Sequence, residues 1–462
     1  MSPSAASPSG LPHPAEVVEA ALAAAGGPCI VLVEESHGVD VRYANNTATT
    51  DGVRLDRRVT AVRVDERDGV VCSGVARQSG DVDAAALVAE AEHTATAADD
   101  AAPLIGGAAA PDFDADPQTT DLAVLDAVLD GLGGAFRRAE RADTVLSGFA
   151  EHRVVTTYLG STTGLRRRYA QPTGSLQLVG RRDGRSAWAG VGTADFAGRG
   201  VEPLEEEVAR GLDWAATRVD VPAGRHEVVL PPSAVGDLML FLLDATGGRE
   251  AEEGRTVFSR PGGGTRVGDA LTPLPFDLWS DPQAPGLECT PFLAAGASTA
   301  DVSVFDNGMA LERTDWLRAG RLERLQYHRA GAARAGAPPT APVDNLLLSL
   351  PGAGGSTADL VARTERGLLV TCLWYIREVD PRTLLLTGLT RDGVYVVEDG
   401  RVVGAANNFR FNESPVDVLA RASEASATVR TLGREGGSWL NRMAMPALRI
   451  PDFNMSTVSQ AV

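Results

Sequence analysis

The chain is poor in the residues that hold metals. Its six histidines (His13, His37, His93, His152, His226 and His328) are scattered, and no two stand three to five positions apart. Two ligands on one helix must share a face to reach one ion, so a helix-borne HExxH or HExxxH pair is excluded. Spacing leaves open only a nonlocal site built from His226, His328 and a cysteine. The four cysteines, Cys29, Cys72, Cys289 and Cys372, show no CxxC spacing. That argues against a zinc ribbon or disulfide framework and for buried, reduced thiols in a cytoplasmic protein. No GxSxG elbow occurs, and neither Gly263-Gly264-Thr265 nor Gly354-Gly355-Ser356 carries the lysine of a phosphate-binding loop. Long apolar runs are missing too, so no transmembrane helix and no membrane partner are expected. Residues 1–13 lack the basic-then-apolar order of a signal peptide and read as a disordered lead-in.

Positive charge is short: 43 Lys and Arg against 61 Asp and Glu give a net charge of −18. Such a field repels nucleic acid, so no nucleic-acid partner is expected, and the run Arg166-Arg167-Arg168 reads as a solvated face.

What is present is ordinary globular material. A chain of 462 residues with 44% hydrophobic content is too long for one core, and two domains are expected, 14–222 and 223–462. Helices are expected over 15–25, 83–97, 121–139, 202–218, 234–245 (with Ser233 as N-cap) and 415–424. Short alternating strands fill much of the rest, with Ser36-His37-Gly38, Asn45-Asn46, Asp51-Gly52, Gly160-Ser161 and Asp183-Gly184 read as turns. Later strands are expected over 303–305, 322–328, 345–350, 368–378, 384–390, 393–398, 401–406 and 448–450, and Ser356 or Thr357 should cap a short helix. Strands and helices are grouped rather than alternating, which gives an α+β class. The N-terminal part is an antiparallel sheet with helices, and the C-terminal part a strand-rich curved sheet or barrel-like body.

Several segments in order carry a resemblance. They are Tyr43-Ala44-Asn45-Asn46-Thr47, the stretch 227–243 with Val235-Gly236-Asp237-Leu238-Met239-Leu240 at its centre, 367–391, 393–404 followed by 407–419, and Thr431-Leu432-Gly433-Arg434-Glu435-Gly436. Together the chain resembles the TldD/PmbA metallopeptidase family, and within it the non-catalytic TldE (PmbA-like) branch. The resemblance implies a heterodimer with a TldD-type catalytic subunit that degrades or trims peptides, holding zinc through HExxxH and a downstream cysteine. Aligned to that pattern, Asp237 is the only acid in the motif region, read as a solvent-side residue, and Leu432 stands where the cysteine would be. No zinc, no cofactor and no catalytic residue are therefore expected in this chain. Peptide contacts are expected from Trp374, Tyr375, Arg377, Arg382, Asn407, Asn408 and Arg410, by strand addition at a sheet edge. Core packing, with salt bridges from Arg377 and Arg382 to Glu378 and Asp380, is the competing reading of those arginines. The alternative function is a diverged stand-alone enzyme working through Cys372, Asp237 and His328. The family's older association with DNA gyrase fits poorly with the negative field.

Overall fold

The computed structural model describes residues 10–459, so the expected lead-in falls mostly outside the described residues. The chain opens on a seven-stranded antiparallel sheet made of β1 (Cys29–Ala44), β2 (Thr47–Arg67), β3 (Val70–Ser79), β4 (Thr96–Ala97), β5 (Val145–Ser161), β6 (Arg166–Arg182) and β7 (Arg185–Thr193), in the order β4-β3-β2-β1-β5-β6-β7. Helices α1 (Pro14–Ala24), α2 (Ala84–His93), α3 (Asp126–Arg141) and α4 (Glu202–Trp214) cover one face. Alternation along β1 decides the layering. Val31 and Val33 meet α1 and α2, whereas Ile30 and Leu32 point the other way, onto Phe292 and Phe305 of the second half.

These strands are much longer than the expected ones. Ser36-His37-Gly38 and Asp51-Gly52 are not turns but lie inside β1 and β2, and Gly160-Ser161 ends β5. The glycines mislead for a physical reason. At Gly160 a Cβ would collide with Val18 of α1, and at Gly180 with Val208 of α4. Both mark close helix-on-sheet packing rather than a change of direction. Asn45 and Asn46 do form the β1–β2 turn, both at positive φ (51° and 58°).

The second half holds two sheets around helix α5 (Pro232–Asp244). The six-stranded sheet runs 321–322, 314–318, 277–280, 346–349, 443–445, 429–431. The ten-stranded sheet runs 373–380, 385–390, 409–413, 448–458, 224–230, 366–370, 394–398, 401–406, 218–219, with 424–425 paired to 448–458 off that path. Most pairings are antiparallel, but 224–230 runs parallel to 366–370. The class is α+β with curved sheets, and among the described residues neither sheet closes into a barrel.

Helix α5 is buried on every side from Ala234 to Leu240, where the two sheets cover it. Leu230, Leu238, Met239, Leu278, Leu346 and Met443 share one core with it. Its N-cap is Pro231, not Ser233, with proline at the first helical position, where the missing N–H costs nothing. Other expected elements shift in detail: 303–305 is a 3-10 turn, and 368–378 is two strands, Arg366–Val370 and Leu373–Asp380. Ser356 does cap the helix Thr357–Ala362 through a capping box. Its side chain accepts from Asp359 N at 3.4 Å, and Asp359 Oδ2 accepts from Ser356 N at 2.7 Å. Ser356→Ala should lower stability by about 1 kcal/mol in denaturant unfolding, the usual worth of such a cap.

Candidate functional site

The centre of interest is α5 and the loop that follows strand Val429–Thr431. Asp237 is not on the solvent side: it is 1% exposed. Complete cover by two sheets overrides the polar side chain, because the loop supplies partners for it. Its Oδ2 accepts from the backbone N–H of Arg434 at 3.0 Å, and Oδ1 accepts from those of Glu435 at 3.1 Å and Gly436 at 2.9 Å. The loop sequence is built for this approach. A Cβ at Gly433 would collide with the Asp237 carboxylate, and one at Gly436 with Leu240. Burial pushes the Asp237 carboxyl up to about 7, partly offset by the three amides and reinforced by the Glu435 charge. Leu432 is fully buried and offers no donor atom.

Arg434 lies on the outer side of this loop. Its guanidinium lies over two indole rings, with the centroid of Trp188 at 5.3 Å and that of Trp374 at 4.7 Å. It also approaches Asp392 Oδ2 at 3.7 Å and donates to Gln177 Oε1 at 3.4 Å. Trp188 and Gln177 belong to β7 and β6, so one side chain links the first sheet to the second half. Asp392 is anchored by Ser186 Oγ at 2.6 Å. The sequence reading placed Arg434 within a matching segment but did not single it out. Its signal was the pair of flanking glycines.

The expected peptide contacts divide into groups. Strand Leu373–Asp380 ends the ten-stranded sheet, with irregular register between Trp374 and Arg377 and between Glu378 and Asp380. Cross-strand register places Trp374, Leu389 and Arg410 in one row and Arg377, Thr387 and Asn412 in the next. Directly opposed residues share a face, so Trp374, Arg377 and Arg410 lie on one face of the sheet, with Leu389 between Trp374 and Arg410. Tyr375 sits in the irregularity at φ 49°, 55% exposed, and its N–H donates to Glu435 at 3.2 Å. Arg377 pairs with Glu435 at 3.5 Å, not with Glu378 or Asp380. Arg382 stands apart in the turn after Asp380, its N–H donating to Asp380 Oδ1. Asn407 is largely buried, and its Oδ1 accepts from Val221 N at 2.9 Å, so that carbonyl serves the local chain. Asn408 accepts from Thr390 Oγ1 at 3.2 Å.

The residues of the stand-alone enzyme reading form no nucleophile–base pair among the described residues. Cys372 is buried, its thiol pushed well above the ordinary range by burial and by the Asp392 and Asp237 charges. That is the opposite of an activated thiolate. His328 caps the helix Arg329–Ala335, accepting from Gly331 N at 3.2 Å. His226 Nε2 lies 3.0 Å from the carbonyl of Pro222. Among the described residues no three His, Cys, Asp or Glu side chains are grouped to hold a metal. At α5 the donor set does not fit zinc: the one carboxylate accepts from three amides, and Leu432, at the position the resemblance gives to the cysteine, has no donor atom.

Residues 223–457 match the model of the PmbA/TldA metallopeptidase C-terminal domain, which puts the two-sheet body around α5 in a metallopeptidase class. The chain belongs to the PmbA/TldD metallopeptidase family. Its whole fold is similar to that of TldE from Thermococcus kodakarensis, with TM-score 0.75, 16% identity, and coverage of 95% of this chain and 98% of that one. It is equally similar to a candidate modulator of DNA gyrase from Thermotoga maritima, with TM-score 0.75, 15% identity, and coverage of 95% and 99%. A corresponding protein from Bacteroides thetaiotaomicron gives TM-score 0.70 at 13% identity, with coverage of 96% and 98%. No curated protein matches the sequence. At these identities the likeness speaks for the fold. No helix among the described residues is long and apolar enough to cross a membrane.

Proposed function

We propose that this chain is a TldE-like, non-catalytic subunit of a peptide-hydrolysing complex, in which a TldD-type partner carries the zinc and the general base. One observation supports this most: the carboxylate on α5 accepts three backbone N–H groups from the loop 434–436. A zinc peptidase needs protein ligands, an open position for water and a base to take its proton. In catalytic relatives the resemblance implies that a metal joins this helix to the loop beyond it. Here a carboxylate-to-amide clasp joins the same two segments and takes up three of the carboxylate's four acceptor sites. On this reading the subunit contributes assembly and a peptide-binding face formed by Trp374, Arg377 and Arg410, in the cytoplasm. The test is reconstitution of the purified full chain with a TldD-type protein from the same source. A stable complex by light scattering is expected, with peptide hydrolysis that requires the partner's zinc motif. Failure of the two chains to associate, or hydrolysis by this chain alone, contradicts the reading.

A further inference from the structure

A cavity of about 620 Å³ opens beside the C-terminal half of α5. Its apolar wall is Leu240, Phe241 and Trp439. The two rings meet edge to face at 6.2 Å, and Trp439 is 63% exposed, an indole surface with little to cover it. Three acidic groups also line it: Asp244, Asp301 and Asp344. Asp344 already has a cation, Arg442, at 2.7 Å. Asp244 and Asp301 have no ion pair among the described residues, and Asp301 Oδ1 is buried without any hydrogen-bond partner. The Asp301 carboxyl is pushed up to about 6, first by burial and then by the nearby Glu250 and Asp244 charges. The unpaired, buried oxygen of Asp301 is costly to leave without a cation, and an exposed indole attracts the same charge through its ring face.

We propose that this cavity is a peptide subsite for a cationic side chain. The ammonium or guanidinium of a lysine or arginine enters between Asp244 and Asp301, while its aliphatic stem and a neighbouring apolar residue lie on Phe241 and Trp439. The proposal rests on the reading of the chain as a peptide-binding subunit and adds the class of sequence it selects. Charge complementarity selects the occupant: the cavity holds two carboxylates without cations and a ring surface that an aliphatic stem can cover.

The test is calorimetric titration of the full chain, at low ionic strength, with a short acetylated and amidated peptide containing a Phe-Arg pair and with the same peptide carrying citrulline for arginine. The arginine peptide should bind about tenfold tighter, the scale of one partly desolvated charge contact plus a ring contact. Asp301→Asn should bring it down to the citrulline level. Asp244→Asn, at an exposed position, should weaken it in the same direction without touching the fold. Equal affinity of the two peptides, or indifference to both substitutions, overturns the subsite and leaves the peptide-binding reading standing. Absence of binding by either peptide overturns both.

Discussion

Replacing Asp237 by alanine should cost about 3 kcal/mol of stability, because three N–H groups, that of Gly436 fully buried, would lose their acceptor at once. The cost should be local as well as global. Hydrogen exchange at Arg434, Glu435 and Gly436 should accelerate beyond that of α5 itself, since those amides are held by this carboxylate. A catalytic acid behaves differently, as its removal commonly leaves stability unchanged or raises it. The pH dependence carries a definite sign. The folded carboxyl sits near 7, above its ordinary 3.8, so the folded chain keeps a proton that the unfolded chain gives up. Its contribution is therefore fully present below about pH 4 and is lost as pH rises through about 7. Asp237→Asn removes that titration, so the difference in melting temperature between wild type and this variant should be larger at pH 5 than at pH 8. An unchanging difference contradicts the assignment.

Arg434→Ala should be the second most damaging change, at about 2–3 kcal/mol. It removes two ring-stacking contacts and strips a largely buried carboxylate, Asp392, of one of its two cations. Trp188 and Gln177 lie on the first sheet, so the loss should also loosen β6 and β7, seen as faster hydrogen exchange there and altered tryptophan fluorescence. Arg434→Lys should rescue little, since a point ammonium cannot reach both rings as a planar guanidinium does. Full rescue by lysine would mean that charge alone, and not the stack, is what matters.

The class of fold and the missing zinc ligands were legible because both depend on residue types and grouping. The absence of a histidine pair is a fact of the sequence, and Ser356 announced its capping box through the acid three places on. Strand lengths were not legible. Gly160 serves a helix lying on the sheet, and only the tertiary arrangement separates that use from a turn. Asp237 was misplaced for a related reason. A lone acid on an apolar helix ordinarily marks the solvent side, and the amides that accommodate it come from a loop nearly two hundred residues later. The continuous run Leu238-Met239-Leu240 was the available hint that α5 is covered all round. The pairing of Arg377 with Glu435 was hidden by the same distance in sequence, while nearer acids offered themselves.

The reading of α5 as a packed scaffold without metal chemistry is tested most directly by metal analysis of the full chain, purified alone, loaded with excess zinc and dialysed. The expected result is zinc far below one ion per chain, with no peptide hydrolysis. Zinc retained at one ion per chain, with an affinity that falls on Asp237→Asn, would contradict it.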